Sequence, residues 1–251
     1  MRYNDAMRAH SGTEIFRVLG RKMLATYHRP AGPEGRRFPT VLFLHGFPGS
    51  EKNVDVQREL MRRGIASVAP SFLGAWGSGG VYRFTTLVPQ ARLALRAVRR
   101  LAFVDPERIA AYGFSMGGWA ALNLAAAEPA LKAVVAVAPA GGPEMIGPGA
   151  KSFLARLSKP LNVPAQAALL ADFRSAMREF DPARAVPRLR APLLLIHGDE
   201  DGTIPIAVSR RFAALAGGRA RLVVQRGADH DFLDCRGRLA RCAGNWLATR
   251  A

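Results

Sequence analysis

The sequence is poor in cysteine, with two among 251 residues. Cys235 and Cys242 are predicted to lie on one C-terminal helix, where seven residues at about 1.5 Å each place them roughly 10 Å apart. This distance excludes a disulfide between them, because the Cα atoms of bonded cysteines lie less than about 7 Å apart. The sequence also lacks a metal-ligating cluster of cysteines and histidines and a dinucleotide-binding loop, so no metal and no cofactor are expected.

Long apolar runs are missing as well. Although 49% of the residues are hydrophobic, no apolar stretch approaches the roughly 20 residues that span a bilayer. The N-terminal segment, residues 1–8, lacks the apolar central region of a secretory signal peptide. The length suits a single domain, 1–251, with a substantial core. We therefore expect a cytoplasmic monomer or homodimer with no integral membrane association.

Acidic residues are scarce, with 19 against 36 basic ones, so the formal net charge is +17. All but five of the basic residues are arginines, a bias that is typical of GC-rich coding sequences. The surplus is spread along the chain, including the predicted helix 85–101, whose outer face carries Arg92, Arg96 and Arg99. It lacks the interleaved aromatic residues of a single-strand-binding platform. We expect a solvated basic surface and no specific nucleic-acid partner, with attraction to anionic substrates or membrane surfaces as the alternative.

One serine lies in a distinctive glycine-rich segment, GFSMGG at residues 113–118. Gly113 and Gly117 flank Ser115, an apolar run precedes the segment, and an alanine-rich run follows it. This order predicts a strand, a tight turn and a helix, which is the context of a G-x-S-x-G nucleophile elbow. The turn strains the serine backbone and leaves no room for neighbouring side chains, so glycine is required beside it. Ser78 lies in a glycine-rich loop without this context, and turn formation is the better interpretation there.

Two loops downstream supply a candidate acid and a candidate base. The apolar run PLLLI, predicted as a strand buried on both faces, precedes a loop with three carboxylates: Asp199, Glu200 and Asp201. A further predicted strand, 220–225, precedes the loop that contains His230. Strands and helices alternate along most of the chain, which predicts a mostly parallel sheet flanked by helices on both faces. A serine, a carboxylate and a histidine thus each follow a strand at the edge where catalytic groups collect.

These motifs resemble those of the α/β-hydrolase superfamily, in particular its compact serine hydrolases: esterases and prolyl-oligopeptidase-like catalytic domains without a propeller. The segment VLFLHGFPG at 41–49 resembles the family's strand and oxyanion loop, and VDPERI at 104–109 resembles the entry to its nucleophile strand. The pattern HGxxDxxIP at 197–205 matches the family's acid loop and selects Asp201 among the three carboxylates. The resemblance covers roughly residues 27–247, apart from a divergent insert, and implies an α/β-hydrolase fold.

The resemblance further implies a catalytic triad of Ser115, His230 and Asp201, in which the serine attacks a carbonyl and the histidine relays its proton. The carboxylate would hold the histidine in the required tautomer. Two other histidines, His45 and His197, precede glycines at strand ends, and we interpret them as loop anchors rather than catalytic groups.

An oxyanion hole is expected from two backbone N–H groups, those of Phe47 and Met116. The side chains of Phe47, Trp76 and Met116 are the candidate walls of the substrate pocket. We expect a small-molecule substrate, a carboxylic ester of short to medium acyl chain. Hydrolysis of peptides or amides is the alternative, and a non-catalytic binding protein that retains the fold is a hypothesis from another class.

The segment 141–190 breaks the alternation of strands and helices. It contains two predicted helices, 151–157 and 165–180, between several prolines. The segment is long for a bare connection, so we interpret it as a small helical cap over the active site, as in hydrolases of this type. An ordinary crossover with an extra helix is the alternative.

Overall fold

The computed structural model describes residues 8–250, and its centre is an eight-stranded sheet. Residues 1–7 and 251, which include most of the N-terminal segment considered above, lie outside the described residues. The strands are β1 (His10–Val18), β2 (Arg21–Arg29), β3 (Phe38–Leu44), β4 (Ala66–Pro70), β5 (Val104–Phe114), β6 (Val134–Val137), β7 (Leu193–Gly198) and β8 (Ala220–Gln225). Their order across the sheet is β1-β2-β4-β3-β5-β6-β7-β8.

Six of these strands form the parallel part of the sheet, as the sequence predicts. The pairs from β4 through β3, β5, β6 and β7 to β8 are all parallel, whereas β1, β2 and β4 pair antiparallel. The central strands are apolar and buried because helices cover both of their faces. The carboxyl ends of β5, β7 and β8 therefore meet at one edge of the sheet.

Helices cover both faces of the sheet. The helices are α1 (Val54–Arg62), α2 (Leu87–Val98), α3 (Met116–Ala127), α4 (Ala150–Leu157), α5 (Gln166–Glu179), α6 (Pro182–Ala185), α7 (Ala207–Leu215) and α8 (Arg236–Ala248). Apolar residues of α1 and α8 form a core on one face, and those of α2, α3 and α7 form a larger core on the other. Among residues 8–250, no helix combines the length and the apolar character that crossing a bilayer requires. The α/β-hydrolase fold predicted from the sequence is confirmed in its layers and in its mostly parallel sheet.

One local expectation needs correction. Cys235 is not on the C-terminal helix but ends a 3-10 turn, Leu233–Cys235, that directly precedes α8. Both cysteines are free, with Cys235 buried. Strand β5 is longer than its apolar stretch, because the polar residues Asp105–Arg108 continue it from Val104, which pairs with Phe38 across a register shift.

The insert at 141–190 contains α4, α5 and α6. A carboxylate of α5 anchors it to the rest of the domain, because Asp172 accepts hydrogen bonds from the Phe84 N–H at 2.6 Å and from the Thr85 hydroxyl at 2.5 Å. Phe173, beside it on α5, packs edge-on against Phe84 with ring centroids 5.1 Å apart. These contacts fix α5 beside the loop that precedes α2, on the side of the sheet that holds α3.

Candidate active site

Ser115 lies at the turn between β5 and α3, in a backbone conformation that few serines adopt. Its φ of 54° and ψ of −119° lie in a strained region, which commonly marks functional residues. A Cβ on Gly113 would overlap the backbone of Gly117, and a Cβ on Gly117 would overlap the carbonyl of Leu44. The two glycines are therefore required by the close approach of three backbone segments, and the turn directs the serine away from the sheet.

His230 connects Ser115 to Asp201. Its Nε2 lies 3.1 Å from the Ser115 Oγ, and its Nδ1 lies 2.7 Å from the Asp201 Oδ2. With the Nδ1 proton donated to the carboxylate, Nε2 is free to accept the serine proton. The structure thus brings the three predicted residues, which are far apart in the sequence, into one hydrogen-bonded chain.

The carboxylate of Asp201 is buried and fully hydrogen-bonded. Its Oδ1 accepts the N–H groups of Thr203 and Ile204, each at 2.8 Å. Its Oδ2 also lies 3.2 Å from the His197 Nε2. Burial alone would raise the pKa of Asp201, but hydrogen bonds from His197 and His230 outweigh it and hold the pKa well below its usual range. Asp201 therefore stays charged beside the histidine.

The other two carboxylates of this loop are directed elsewhere. Asp199 is exposed and accepts the Gly227 N–H at 2.7 Å, which ties the acid loop to the loop after β8. Glu200 is exposed. His197, the predicted anchor, is buried within the acid loop: its Nε2 lies 2.9 Å from the Ile204 carbonyl, and its Nδ1 lies 2.7 Å from the Ser209 hydroxyl.

The loop after β3 passes beside the serine. A Cβ on Gly46 would lie 3.1 Å from the Ser115 Cβ, so only glycine allows this approach without displacing the serine. Within residues 8–250, neither the N–H of Phe47 nor that of Met116 donates a hydrogen bond. Phe47 and Met116 both line a cavity at Ser115.

His45 holds this loop in place through hydrogen bonds of both its ring nitrogens. Its Nδ1 donates to the Gly46 carbonyl at 2.7 Å, and its Nε2 accepts the Phe72 N–H at 3.0 Å, so both ring nitrogens are engaged in the neutral form. Burial, with a smaller effect of the nearby Lys52 charge, lowers the pKa of His45 to about 3. His45 contacts the oxyanion loop rather than the reacting groups.

The burial of His45 predicts that the folded protein loses stability in acid. An unfolded histidine titrates near pH 6.5, so below that pH the unfolded chain binds a proton that the folded protein does not. Stability should therefore fall from about pH 6.5 toward pH 3, by about 1.4 kcal/mol per pH unit from this group. Denaturant unfolding at pH 7.5 and pH 5 measures the effect. His45→Gln should flatten the slope and the exposed His10→Gln should not; an unchanged slope in His45→Gln would contradict the assignment.

Two cavities adjoin Ser115. The first, about 250 Å³, is lined by His230 and by polar residues that include Glu51, Arg156 and Asp231; we call it the His230 cavity. The second, about 340 Å³, is lined mainly by apolar side chains and is called the apolar cavity; among its residues are Met116, Ala140, Met145, Phe173 and Ile204. Phe47, Phe153 and Thr203 line both, so Phe153 of α4 lies at the junction of the cavities.

Of the three predicted pocket residues, Phe47 and Met116 line these cavities and Trp76 does not. The Trp76 indole is 40% exposed and donates to the Pro48 carbonyl at 2.8 Å. Trp76 thus contacts the loop after β3 from its solvent-exposed side. Ser78 forms a turn, since its hydroxyl donates to the Ser71 carbonyl at 2.7 Å and accepts the Leu24 N–H at 2.9 Å.

Sequence reasoning missed Phe153 and Arg236. The only signal for Phe153 is its place on a predicted helix of the insert. Arg236, at the start of α8, binds the carboxylates of Glu51 and Asp55 and donates to the Asp231 carbonyl at 3.2 Å. It joins the segment after the oxyanion loop to the segment that carries His230, and no local pattern in the sequence indicates this long-range contact. Within residues 8–250, no group of three or more His, Cys, Asp or Glu is arranged to hold a metal ion.

Comparison with known proteins places this site in a family. A model of the alpha/beta hydrolase family matches residues 41–241. An uncharacterized protein of Mycobacterium tuberculosis is 27% identical over 194 residues, which are 77% of this chain. The match spans 63% of that relative's own length.

Solved structures share the fold over nearly the whole chain. Est1E from Butyrivibrio proteoclasticus superposes with a TM-score of 0.78 at 21% identity, covering 95% of this chain and 98% of that one. A puromycin-hydrolyzing peptidase of Mycobacterium tuberculosis gives a TM-score of 0.76 at 23% identity, covering 99% of this chain and 40% of that one. Because the family model covers well over half of the chain, we conclude that this protein belongs to the alpha/beta hydrolase family.

Proposed function

We propose that this protein hydrolyses carboxylic esters through a Ser-His-Asp triad and an acyl-enzyme intermediate. The observation that carries the proposal is the hydrogen-bonded chain from Ser115 through His230 to Asp201, set at a strained turn. His230 takes the serine proton as Oγ attacks the ester carbonyl, and it then donates that proton to the leaving alcohol. Water, activated by the same histidine, releases the acid and restores the serine.

The negative charge of each tetrahedral intermediate falls on the former carbonyl oxygen. The N–H groups of Phe47 and Met116 are the proposed donors to this oxygen, because neither donates a hydrogen bond within residues 8–250 and both residues line the apolar cavity with Ser115. Met116 is also the first residue of α3, where the helix dipole favours negative charge. One such donor typically contributes about 3 kcal/mol to lowering the barrier.

The two cavities suggest how an ester is oriented. His230 must reach the leaving oxygen, so we assign the leaving alcohol to the His230 cavity. The acyl group then occupies the apolar cavity, where each buried methylene adds about 0.8 kcal/mol of binding until the cavity is full. In this assignment residues 141–190 act as a small cap within the single domain, because α4 and α5 contribute Phe153 and Phe173 to the walls.

The lining of the apolar cavity favours an ester over an aminoacyl substrate. Among the described residues that line it, the one carboxylate is Glu144, which is paired with Arg211 at 3.3 Å. An acidic pair that could clamp a substrate amine is therefore not part of this lining. Peptide or amide hydrolysis remains the alternative, and a comparison of ester and nitroanilide substrates distinguishes the two.

A panel of p-nitrophenyl esters of graded acyl length, run beside aminoacyl-nitroanilides, tests the proposal. kcat/KM should rise with acyl length and fall at medium length, because the apolar cavity holds about 340 Å³. A profile that still climbs at long chains would indicate a lipase, and faster turnover of a nitroanilide than of any ester would indicate a peptidase or amidase. No turnover of either class would favour a binding protein.

Matched variants test the assignment of the cavities. Met145 lines only the apolar cavity, and Leu157 lines only the His230 cavity. Met145→Trp should move the optimum to shorter acyl chains while leaving the preference among alcohols unchanged. Leu157→Trp should change the preference among alcohols and leave the optimal acyl length unchanged. If Met145→Trp changed the alcohol preference and Leu157→Trp the acyl length, the two cavities would have to exchange their assignments.

A further inference from the structure

A third cavity, about 720 Å³, is larger than either cavity at Ser115 and is lined by none of the three triad residues. It lies between α2, the C-terminal half of α3, the end of α5 and α6. We call it the arginine cleft, because four arginines line it: Arg92, Arg96, Arg184 and Arg188.

The four arginines form two pairs with the same spacing. Arg92 and Arg96 are four residues apart on α2, and Arg184 and Arg188 are four residues apart on α6 and the 3-10 turn that follows it. On α2 this spacing places Arg92 and Arg96 on one face, about one turn apart. All four arginines are exposed and line the cleft, two from α2 and two from α6 and the turn after it.

Among the described residues, most of this positive charge has no partner. Arg92 pairs with Glu128 at 3.2 Å, whereas Arg96, Arg184 and Arg188 form no ion pair or side-chain hydrogen bond within residues 8–250. Two carboxylates also line the cleft, Glu179 and Asp181. The Oδ1 of Asp181 accepts the Ala183 N–H at 2.9 Å as the cap of α6. Three arginines that are unpaired within residues 8–250 therefore share the cleft with two carboxylates, and an added anion would reduce this excess of positive charge.

Apolar side chains form the rest of the lining. Val88 and Leu93 of α2, Ala126 of α3 and Phe180 after α5 lie between the two arginine pairs. Guanidinium groups bind carboxylates and phosphates through paired hydrogen bonds, and the apolar lining would bury a hydrocarbon or aromatic body. A purely inorganic anion would use only the arginines, and a neutral apolar molecule would use only the lining.

We propose that the arginine cleft is a second binding site, separate from the triad, for a small amphipathic anion with an apolar body and a phosphate or carboxylate head. The arginines bind the anionic head, whether it is a phosphate or a carboxylate, and the apolar lining buries the body. This site does not depend on the proposed esterase activity, because binding there is measured without turnover.

Calorimetric titration of the full chain with decyl phosphate, below its micellar concentration, tests the site. We expect one saturable site, with decanol and inorganic phosphate each at least about tenfold weaker, because each lacks one half of the interaction. Decanoate in competition distinguishes the head groups: displacement of decyl phosphate indicates that a carboxylate suffices, and failure to displace it indicates a phosphate site.

Paired variants locate the binding. The double variant Arg184→Gln/Arg188→Gln should bind decyl phosphate about tenfold more weakly or worse. Arg174→Gln with Arg178→Gln is the matched control, because these exposed arginines share the spacing on α5 but do not line the cleft. The control should bind within about twofold of the unmodified protein. Arg96→Gln on α2 provides an independent loss of affinity should the α6 variant fail to fold.

Three results would overturn the proposal. These are the absence of saturable binding, equal affinity in the Arg184/Arg188 and control variants, and affinity for inorganic phosphate or duplex DNA as high as for decyl phosphate. The second would place the ligand elsewhere, including the cavities at Ser115. Equal affinity for inorganic phosphate or DNA would mean that the cleft attracts anions only as part of the basic surface.

Discussion

Replacing Ser115 with alanine is expected to reduce ester turnover to background, a loss of roughly 10⁶-fold by analogy with other serine nucleophiles. The variant loses the attacking Oγ but keeps His230, Asp201 and the two N–H donors in place. Labelling by a fluorophosphonate probe should disappear with turnover, since Ser115 lines both cavities and its Oγ lies 3.1 Å from the His230 Nε2. Ser209, whose hydroxyl lies 2.7 Å from the His197 Nδ1, is fully buried and out of reach of the probe. Active-site labelling and p-nitrophenyl ester assays measure both effects.

The fold should survive this change, because alanine at Ser115 keeps the backbone conformation and removes one oxygen. Thermal unfolding of the variant checks this expectation. Ser50→Ala is a matched control, since Ser50 lines the His230 cavity but forms no hydrogen bond with His230. It should retain labelling and turnover. Labelling that persists in Ser115→Ala, or that disappears in Ser50→Ala, would refute the nucleophile assignment.

Asp201→Asn should lower kcat by about 10⁴-fold with little change in KM. The carboxylate accepts the Nδ1 proton of His230 at 2.7 Å, and an amide in its place can present its N–H₂ group to that nitrogen instead. The histidine would then carry its proton on Nε2 and could no longer accept one from Ser115. The backbone contacts of Oδ1 with Thr203 and Ile204 can be kept by the amide oxygen, so the loop should stay folded.

Asp199→Asn is the matched control in the same loop. Asp199 binds the Gly227 N–H, a contact that an asparagine oxygen can also make, so kcat should change by much less. His230→Ala should lose activity on the scale of Asp201→Asn or more. A severe loss in Asp199→Asn with nearly full activity in Asp201→Asn would mean that another carboxylate supports the histidine in solution.

The elements that carry the site could be predicted because each has a strong local signal. The apolar run of β7 and the glycines around Ser115 predict a buried strand and a tight turn from a few neighbouring residues. Strand pairing rather than composition sets the start of β5, where Val104 pairs with Phe38 of β3. Trp76 was expected in the pocket as an aromatic residue of a nearby loop, but its indole hydrogen bond to Pro48 directs it outward.

By itself the sequence determined the type of the elements around the site and the order in which a serine, a carboxylate and a histidine follow strands of a parallel sheet. These features depend on side-chain periodicity and backbone requirements that act over a few residues. Only the tertiary structure decided that β5 lies between β3 and β6, that Phe153 lines both cavities, and that four arginines from α2, α6 and the turn after α6 line one cleft. Those arrangements depend on packing between residues that are distant in the chain, for which no local pattern exists.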